Sequence, residues 1–333
     1  MPFPPKESRR ETDFETRLRR RVPLEIVPIR QERTHNLAII ASLFFETPDD
    51  ITRYTQTVLG EFAGADIGVQ FLFADNTPNL KFSGLLSDME RTLAEHGIYF
   101  SSVPVTNRGK IHGLNALLAS VMSDYVMPVD PNKLPARGTL RGLYERASSS
   151  GFDLISSRVA RTPDTGNPIQ WYNTGAAYIG KRECFTGFPP VLNDDRYIHL
   201  LTLARGGSFA VATDLTVSDG KQDRISHEEQ KRRRARHIVG DLQVQFLEVT
   251  DGAQIYRLGE QHVSFWKSLA TETGLKTIVE YFKQLPPEKL VRFPVKALIA
   301  MLRIQKIDPF IQSEVHAQLQ ALLDNPELCV WEV

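Results

Sequence analysis

From residue 36 onward, apolar and polar positions fall into blocks that alternate between a buried-strand pattern and an amphipathic-helix pattern. NLAIIASLFF (36–45) is an unbroken apolar run, as expected of a central parallel strand covered on both faces. TPDDITRYTQTVLGEF (47–62) follows, with Thr47 or Asp49 as a cap and Ile51, Tyr54, Val58 and Phe62 on one helical face. IGVQFLF (67–73) predicts a second strand. LLSDMERTLAEHG (85–97) predicts a second helix that aligns Leu85, Met89 and Leu93 and stops at Gly97. IYFSSVPV (98–105), GLNALLASVMS (113–123) and YVMPVD (125–130) continue the series as strand, helix and strand. Such alternation predicts an α/β fold with a doubly wound, mainly parallel sheet. Ligands of these sheets bind beyond the carboxyl ends of the strands.

The second half is more mixed. FDLISSRVA (152–160) and SFAVATDLTVS (208–218) read as strands, and PIQWYNTGAAYIGK (168–181) reads as two more around Gly175. DDRYIHLLTLARGG (194–207) reads as a helix up to its glycine pair, and beyond about 240 the pattern is helical, with Asp308-Pro309 opening one helix. LEIVPI (24–29) reads as a short leading strand, and residues 1–20 lack apolar periodicity and read as mobile. The expected organisation is therefore an N-terminal arm (1–35), an α/β domain (36–240) and a helical C-terminal region (241–333).

Composition narrows this picture little. Forty basic and forty acidic residues cancel, and two cysteines, Cys184 and Cys329, suit a reducing compartment. No apolar run reaches the roughly 20 residues that span a bilayer, and no secretory signal is visible. A cytoplasmic location is expected, with peripheral contact at the inner face of a membrane allowed by the basic block RISHEEQKRRRARH (224–237).

Polar groups gather where the strands end: Glu46, Asp75-Asn76, Asn107-Arg108-Gly109-Lys110 and Asp130-Pro131-Asn132. Asp130 either holds a divalent cation or caps a turn, since Asp-Pro-Asn is an ordinary turn sequence. Asp75-Asn76 has the same two readings. Asp194-Asp195 either form a reactive pair or suit a helix dipole at a first turn. The arginines of 232–234 either clamp phosphate or form a solvated basic face.

The stretch TNRGKIHGLNALLASVMSDYVMPVD (106–130) resembles the core of the family-2 glycosyltransferases of the GT-A fold, in Asn107, Gly109, Lys110, Leu114, Asn115 and Asp130. Asn132 stands where that family has its second acidic residue. Glu46 matches the end of the family's opening strand, and Asp75-Asn76 matches the end of its second. Asn193-Asp194-Asp195-Arg196 is similar to the Gly-Asp-Asp-Arg segment of hyaluronan, chitin and cellulose synthases. Gln230 and Arg233 match their Gln-x-x-Arg-Trp motif, with Arg234 in place of the tryptophan.

This resemblance implies an inverting transferase of the hexosyltransferase type. It would move a sugar from a nucleotide-diphosphate sugar, of the UDP type, to an acceptor hydroxyl. It implies Asp195 as general base, with Asp194 as the neighbour that could take that role. Glu46, Asp75, Asn76, Lys110, Gln230 and Arg233 would be at the donor, and Trp171 and Gly175 at the sugar and acceptor pocket. Asp130 and Asn132 would hold a weakly bound Mn2+ or Mg2+. The alternative is a degenerate GT-A protein that binds nucleotide sugar, or a partner, without transfer. Nucleic acid is not an expected partner, although the 231–236 arginines leave that reading testable by salt dependence.

Overall fold

The computed structural model describes residues 20–23, 27, 34–43, 46–77, 82–105, 109–160, 173, 175–219, 226–261 and 317. Residues 1–19, most of the strand expected at 24–29, Trp171, and the helix expected at Asp308 lie outside them.

Strand β1 (Arg20–Pro23) precedes β2 (His35–Leu43), α1 (Pro48–Phe62), β3 (Val69–Asp75), α2 (Ser83–Glu95), β4 (Tyr99–Pro104), α3 (Lys110–Leu118) and β5 (Ser123–Pro128). Next come β6 (Lys133–Pro135), α4 (Thr139–Ser150), β7 (Leu154–Ala160), β8 (Tyr178–Lys181), α5 (Asp194–Ala204) and β9 (Phe209–Asp219). Helix α6 (His227–Gln245) leads to β10 (Leu247–Asp251) and β11 (Gln254–Arg257).

The 8-stranded sheet has the order β4-β3-β2-β5-β8-β7-β9-β6. Strands β2, β3, β4 and β5 are parallel, as are β7 and β9; β8 and β6 run against their neighbours. The apolar run of β2 explains its central place. Leu37, Ile39, Ala41 and Leu43 enter one core with α1, α2 and α4, and Ala38 and Ile40 enter the other with α3 and α5. A strand's side chains alternate between faces, so both faces of β2 must be apolar.

Local signals set the helix ends. Thr47 Oγ1 accepts from the Asp50 amide at 3.2 Å while Asp50 Oδ2 accepts from the Thr47 amide at 3.0 Å, a reciprocal cap. Gly97, at φ +73°, takes the left-handed turn after α2. In α2 the buried residues are Leu86, Met89 and Leu93, so the inward stripe starts one residue later than the sequence spacing suggested.

Three segments depart from the sequence reading. Helix α3 runs 110–118 rather than 113–123, because Ser123 begins β5, whose pairing with β2 takes precedence over helical periodicity. Residues 133–150, which carry no clear repeat, supply β6 and α4. Within the expected helical C-terminal region, α6 ends at Gln245, and residues 258–261 are helical again. Between the two, β10 pairs β1 in parallel and β11 antiparallel, in a 3-stranded sheet turned at Gly252 (φ +58°). Glu248, buried in β10, draws Arg21 (3.2 Å) and Arg257 (3.3 Å) from either side.

Side-chain amides fix the loops that lead to the sheet edge. Asn115 of α3 donates to the Phe188 carbonyl and accepts from the Phe188 amide, both at 2.8 Å. Gln243 of α6 accepts from the Leu192 amide at 2.9 Å and donates to the Pro190 carbonyl at 2.8 Å. The fully buried Arg182 donates to the Leu118 carbonyl at 3.0 Å, placing its charge at the carboxyl end of α3, where a cation is favoured. The segment 185–193 is thus tied both to α3, earlier in the chain, and to α6, later in it. Asn115→Ala is expected to lower unfolding stability by about 1–3 kcal/mol, measured in urea, because two backbone groups lose their partner. A loss below about 0.5 kcal/mol, the range of an uninvolved surface change, would deny the clamp its role.

Candidate active site

The carboxyl ends of the parallel strands bring three acidic positions to one edge. Asp75 is the last residue of β3, Asp130 lies two residues beyond β5, and Glu46 follows β2. Asp194 and Asp195 open α5, which packs over the same edge.

Lys110, the first residue of α3, projects into this group. Its Nζ lies 2.9 Å from Asp130 Oδ1 and 3.1 Å from Asp194 Oδ1. Burial disfavours its charge, but the two carboxylates more than offset that, and the ammonium holds its proton well above the ordinary lysine range. Asp194 Oδ2 also accepts from the buried Tyr178 hydroxyl at 3.4 Å. Asp194 is therefore the structural acceptor of the pair, 5% exposed and engaged through both oxygens.

Asp195 has different surroundings. Its Oδ1 accepts from the Arg196 amide at 2.8 Å, and its main-chain carbonyl accepts from Asn173 Nδ2 at 3.3 Å. Burial first, and the Asp194 charge second, push its carboxyl up to about 7, against the lowering pull of Lys110. A carboxyl in that range can take a proton near neutral pH.

Gly175 explains how Asp195 is seated. It stands at φ +69°, and a Cβ there would lie 3.0 Å from Asp195 Oδ2. The Asn173 amide oxygen accepts from the Gly175 amide at 3.3 Å, so Asn173 links this glycine to the start of α5. Asn193 anchors the same helix end: its Nδ2 donates to the His237 carbonyl (3.2 Å) and Asp241 Oδ1 (3.1 Å). Gly240 has no Cβ, and one would meet the Asn193 amide at 2.5 Å.

Asp75 and Asn76 are more inward than a ligand-facing pair. Asp75 is 3% exposed, and its Oδ1 accepts from the Thr77 amide (2.9 Å) and hydroxyl. Asn76 Nδ2 donates to Ser42 Oγ (2.7 Å) and the Gly109 carbonyl (3.2 Å), which ties β2, β3 and the turn before α3 together. Its Oδ1 is buried without a partner. A Cβ at Gly113 would meet Ser42 Oγ at 2.4 Å, so the clamp requires glycine there. Asn132 Oδ1, two residues past Asp130, is likewise buried without a partner.

The structure thus brings together Lys110, Asp130, Asp194, Asp195 and Gly175, with Asn132 beside Asp130. Asp75 stands two strands from β5, a backbone separation of about 10 Å at ordinary strand spacing. Trp171 lies outside the described residues. Gln230 and Arg233 fall on α6, with side chains outside the description; position 233 is about two turns before Gly240 on the helix that packs on Asn193. Tyr178 and Asn173 were not singled out from the sequence, and Asn193 entered only as the residue before the aspartate pair, without a role of its own. Tyr178 sits in an apolar strand run, and nothing in its neighbours marks the hydroxyl as a partner of Asp194.

A doubly wound, mainly parallel mixed sheet with such an edge is the GT-A fold. Among solved structures the chain is similar to the mannosyltransferase PcManGT from Pyrobaculum calidifontis, determined with GDP-Man and Mn2+. The two share 20% sequence identity over 91% of this chain and 90% of that one, with a TM-score of 0.54. Glucosyl-3-phosphoglycerate synthase from Mycobacterium tuberculosis aligns at 14% identity over 69% of this chain and 84% of that one, with a TM-score of 0.44. TarS from S. aureus aligns at 12% identity over 63% of this chain and 42% of that one, with a TM-score of 0.41. No protein-family model and no curated protein matches the sequence. Among the described residues, no helix is long and apolar enough to cross a membrane.

The contact between Gly175 and Asp195 is testable by itself. Gly175→Ala is expected to cost about 1–2 kcal/mol from its left-handed backbone, plus a further loss from crowding Asp195. In the Gly175→Ala/Asp195→Ala double variant the second part should vanish, measured as a coupling energy in urea unfolding. Simple additivity would place the Asp195 carboxylate elsewhere.

Proposed function

We propose that the protein transfers a sugar from a nucleotide-diphosphate sugar to an acceptor hydroxyl, with inversion at the anomeric carbon. The observation that carries this reading is the convergence of Lys110, Asp130 and Asp194 within about one hydrogen-bond length, beside a third aspartate, Asp195, whose proton affinity is raised. Support also comes from the fold, since PcManGT was determined with GDP-Man and Mn2+.

In this reading the acceptor oxygen attacks the anomeric carbon from the face opposite the diphosphate. Its proton passes to the Asp195 carboxylate as the carbon–oxygen bond forms, and the bond to the diphosphate oxygen breaks. Nucleoside diphosphate leaves. Gly175 permits Asp195 to be close to the sheet edge without a competing side chain. Asp194 holds Lys110 in register and raises the proton affinity of its neighbour. Asp75 and Asn76, which face inward, would underlie the base end of the donor, with the diphosphate toward Asp130 about two strand spacings away. Glu46 borders the nucleoside side, and Gln230 and Arg233 would steady the leaving group from α6. A UDP-type donor and a hexosyl group are the preferred substrates, with Trp171 at the sugar.

A divalent cation fits the same edge. The buried, unpartnered Asn132 Oδ1 is a hard oxygen two residues from Asp130. Asp130 and Asn132 would hold Mn2+ or Mg2+, which would supply positive charge to the departing diphosphate. Among the described residues, no group of three or more His, Cys, Asp or Glu side chains gathers for a metal, so the donor must complete the shell.

The second reading is a protein that binds nucleotide sugar without transfer, and the Asn132 position, neutral where the pattern is acidic, favours it. Screening nucleotide-sugar turnover across UDP and GDP donors separates the two. Asp195→Asn is expected to lower turnover by a factor on the order of 10²–10⁴ while donor affinity stays near the wild type. Equal turnover would remove Asp195 from its role. Because Asp195 must be ionised to accept a proton, turnover should rise with pH through about 7. Asp194→Asn removes one cause of that elevation, so its rising limb should move to lower pH. An unmoved limb would assign the pH dependence to another group.

A further inference from the structure

The acid cluster already contains a cation. Lys110 Nζ lies 2.9 Å from Asp130 Oδ1, on the residue best suited to hold a metal, and 3.1 Å from Asp194 Oδ1. Only 17% of its side chain is exposed. We propose that Lys110 gates the cation site: its ammonium keeps a divalent cation off Asp130 until the diphosphate of a donor draws it away. This rests on the reading of the ligand as a nucleotide-diphosphate sugar.

Three observations lead to it. A divalent ion on Asp130 would stand within a few ångströms of the ammonium, and like charges at that range in a partly buried site repel strongly. Asp130 supplies one carboxylate, and its companion Asn132 supplies a neutral oxygen, buried and without a partner. This donor set is too weakly charged to displace Lys110 unaided. The lysine also has another place to go. It is the first residue of α3, whose N-terminus follows Gly109 at φ +130° and has no side-chain cap. Free amides at such a helix start favour phosphate, and a lysine rooted there can reach the same anion. A diphosphate would therefore attract the ammonium from Asp130, add negative charge of its own, and open Asp130 and Asn132 to the metal together. Asp194, still held by Tyr178, would lose a partner without leaving its place.

The gate predicts an order of binding that calorimetry reads directly, without turnover. Mn2+ titrated into the wild-type protein alone should bind at least about tenfold more weakly than Mn2+ titrated in the presence of saturating UDP or GDP. Lys110→Gln should bind Mn2+ alone at least about tenfold more tightly than the wild type, and should keep only the part of the nucleotide dependence that comes from the diphosphate completing the metal shell. UDP or GDP should bind the wild type in EDTA. Equal Mn2+ affinity of the wild type with and without nucleotide would overturn the gate while leaving the transferase reading intact. Failure of both UDP and GDP to bind under any condition would overturn the donor reading and with it the opening step. Melting curves report whether Lys110→Gln is folded. If it is not, Lys110→Met gives the same comparison with the wild type in the absence of nucleotide, and Mn2+ affinity equal to that of the wild type overturns the gate.

Discussion

The ammonium of Lys110, held between Asp130 and Asp194, is the contact around which the carboxyl edge of the sheet is organised. Charges taken from water must be paired, and removing one member of a buried pair commonly costs on the order of 3–5 kcal/mol. That requirement joins three elements distant in sequence: the start of α3, the end of β5 and the start of α5. Each must dock correctly for any of the three charges to be satisfied. The pairing thus constrains the fold at the place where chemistry is proposed.

Around this contact the structure assigns different work to two adjacent carboxylates. Asp194 is committed to Lys110 and Tyr178, and its loss would unpair the Tyr178 hydroxyl and leave Lys110 with Asp130 alone. Asp195 accepts one main-chain amide and lies against a bare glycine, and burial and the Asp194 charge raise its proton affinity. One residue's difference in helix position separates an anchor from a candidate base. Neutral amides fix the frame: Asn115, Asn173, Asn193 and Gln243 each tie a loop to a helix or strand without adding charge to an already acidic edge.

Much of the architecture follows from local pattern. The apolar run of 36–45 specifies a strand buried on both faces, and the Thr47 cap and Gly97 stop bound their helices as their chemistry requires. Residues 133–150 and 247–257 were missed because short edge strands and a weakly amphipathic helix derive their stability from neighbours rather than from their own periodicity. Strand β10 exists because β1, more than two hundred residues earlier, offers it a pairing edge.

For the site, the sequence alone determined which residues have suitable chemistry and that they fall at strand ends or helix starts: Asp75, Lys110, Asp130, Asn132, Asp194 and Asp195. Strand direction is encoded locally, so the carboxyl edge could be located without coordinates. Only the tertiary structure decided how these groups divide. It turned Asp75 onto Thr77, set Asn76 as a clamp for Ser42 and Gly109, and placed Lys110 on two carboxylates at once. Those outcomes depend on distances between elements separated by tens of residues. A side chain's partner is fixed by packing, which no local pattern records.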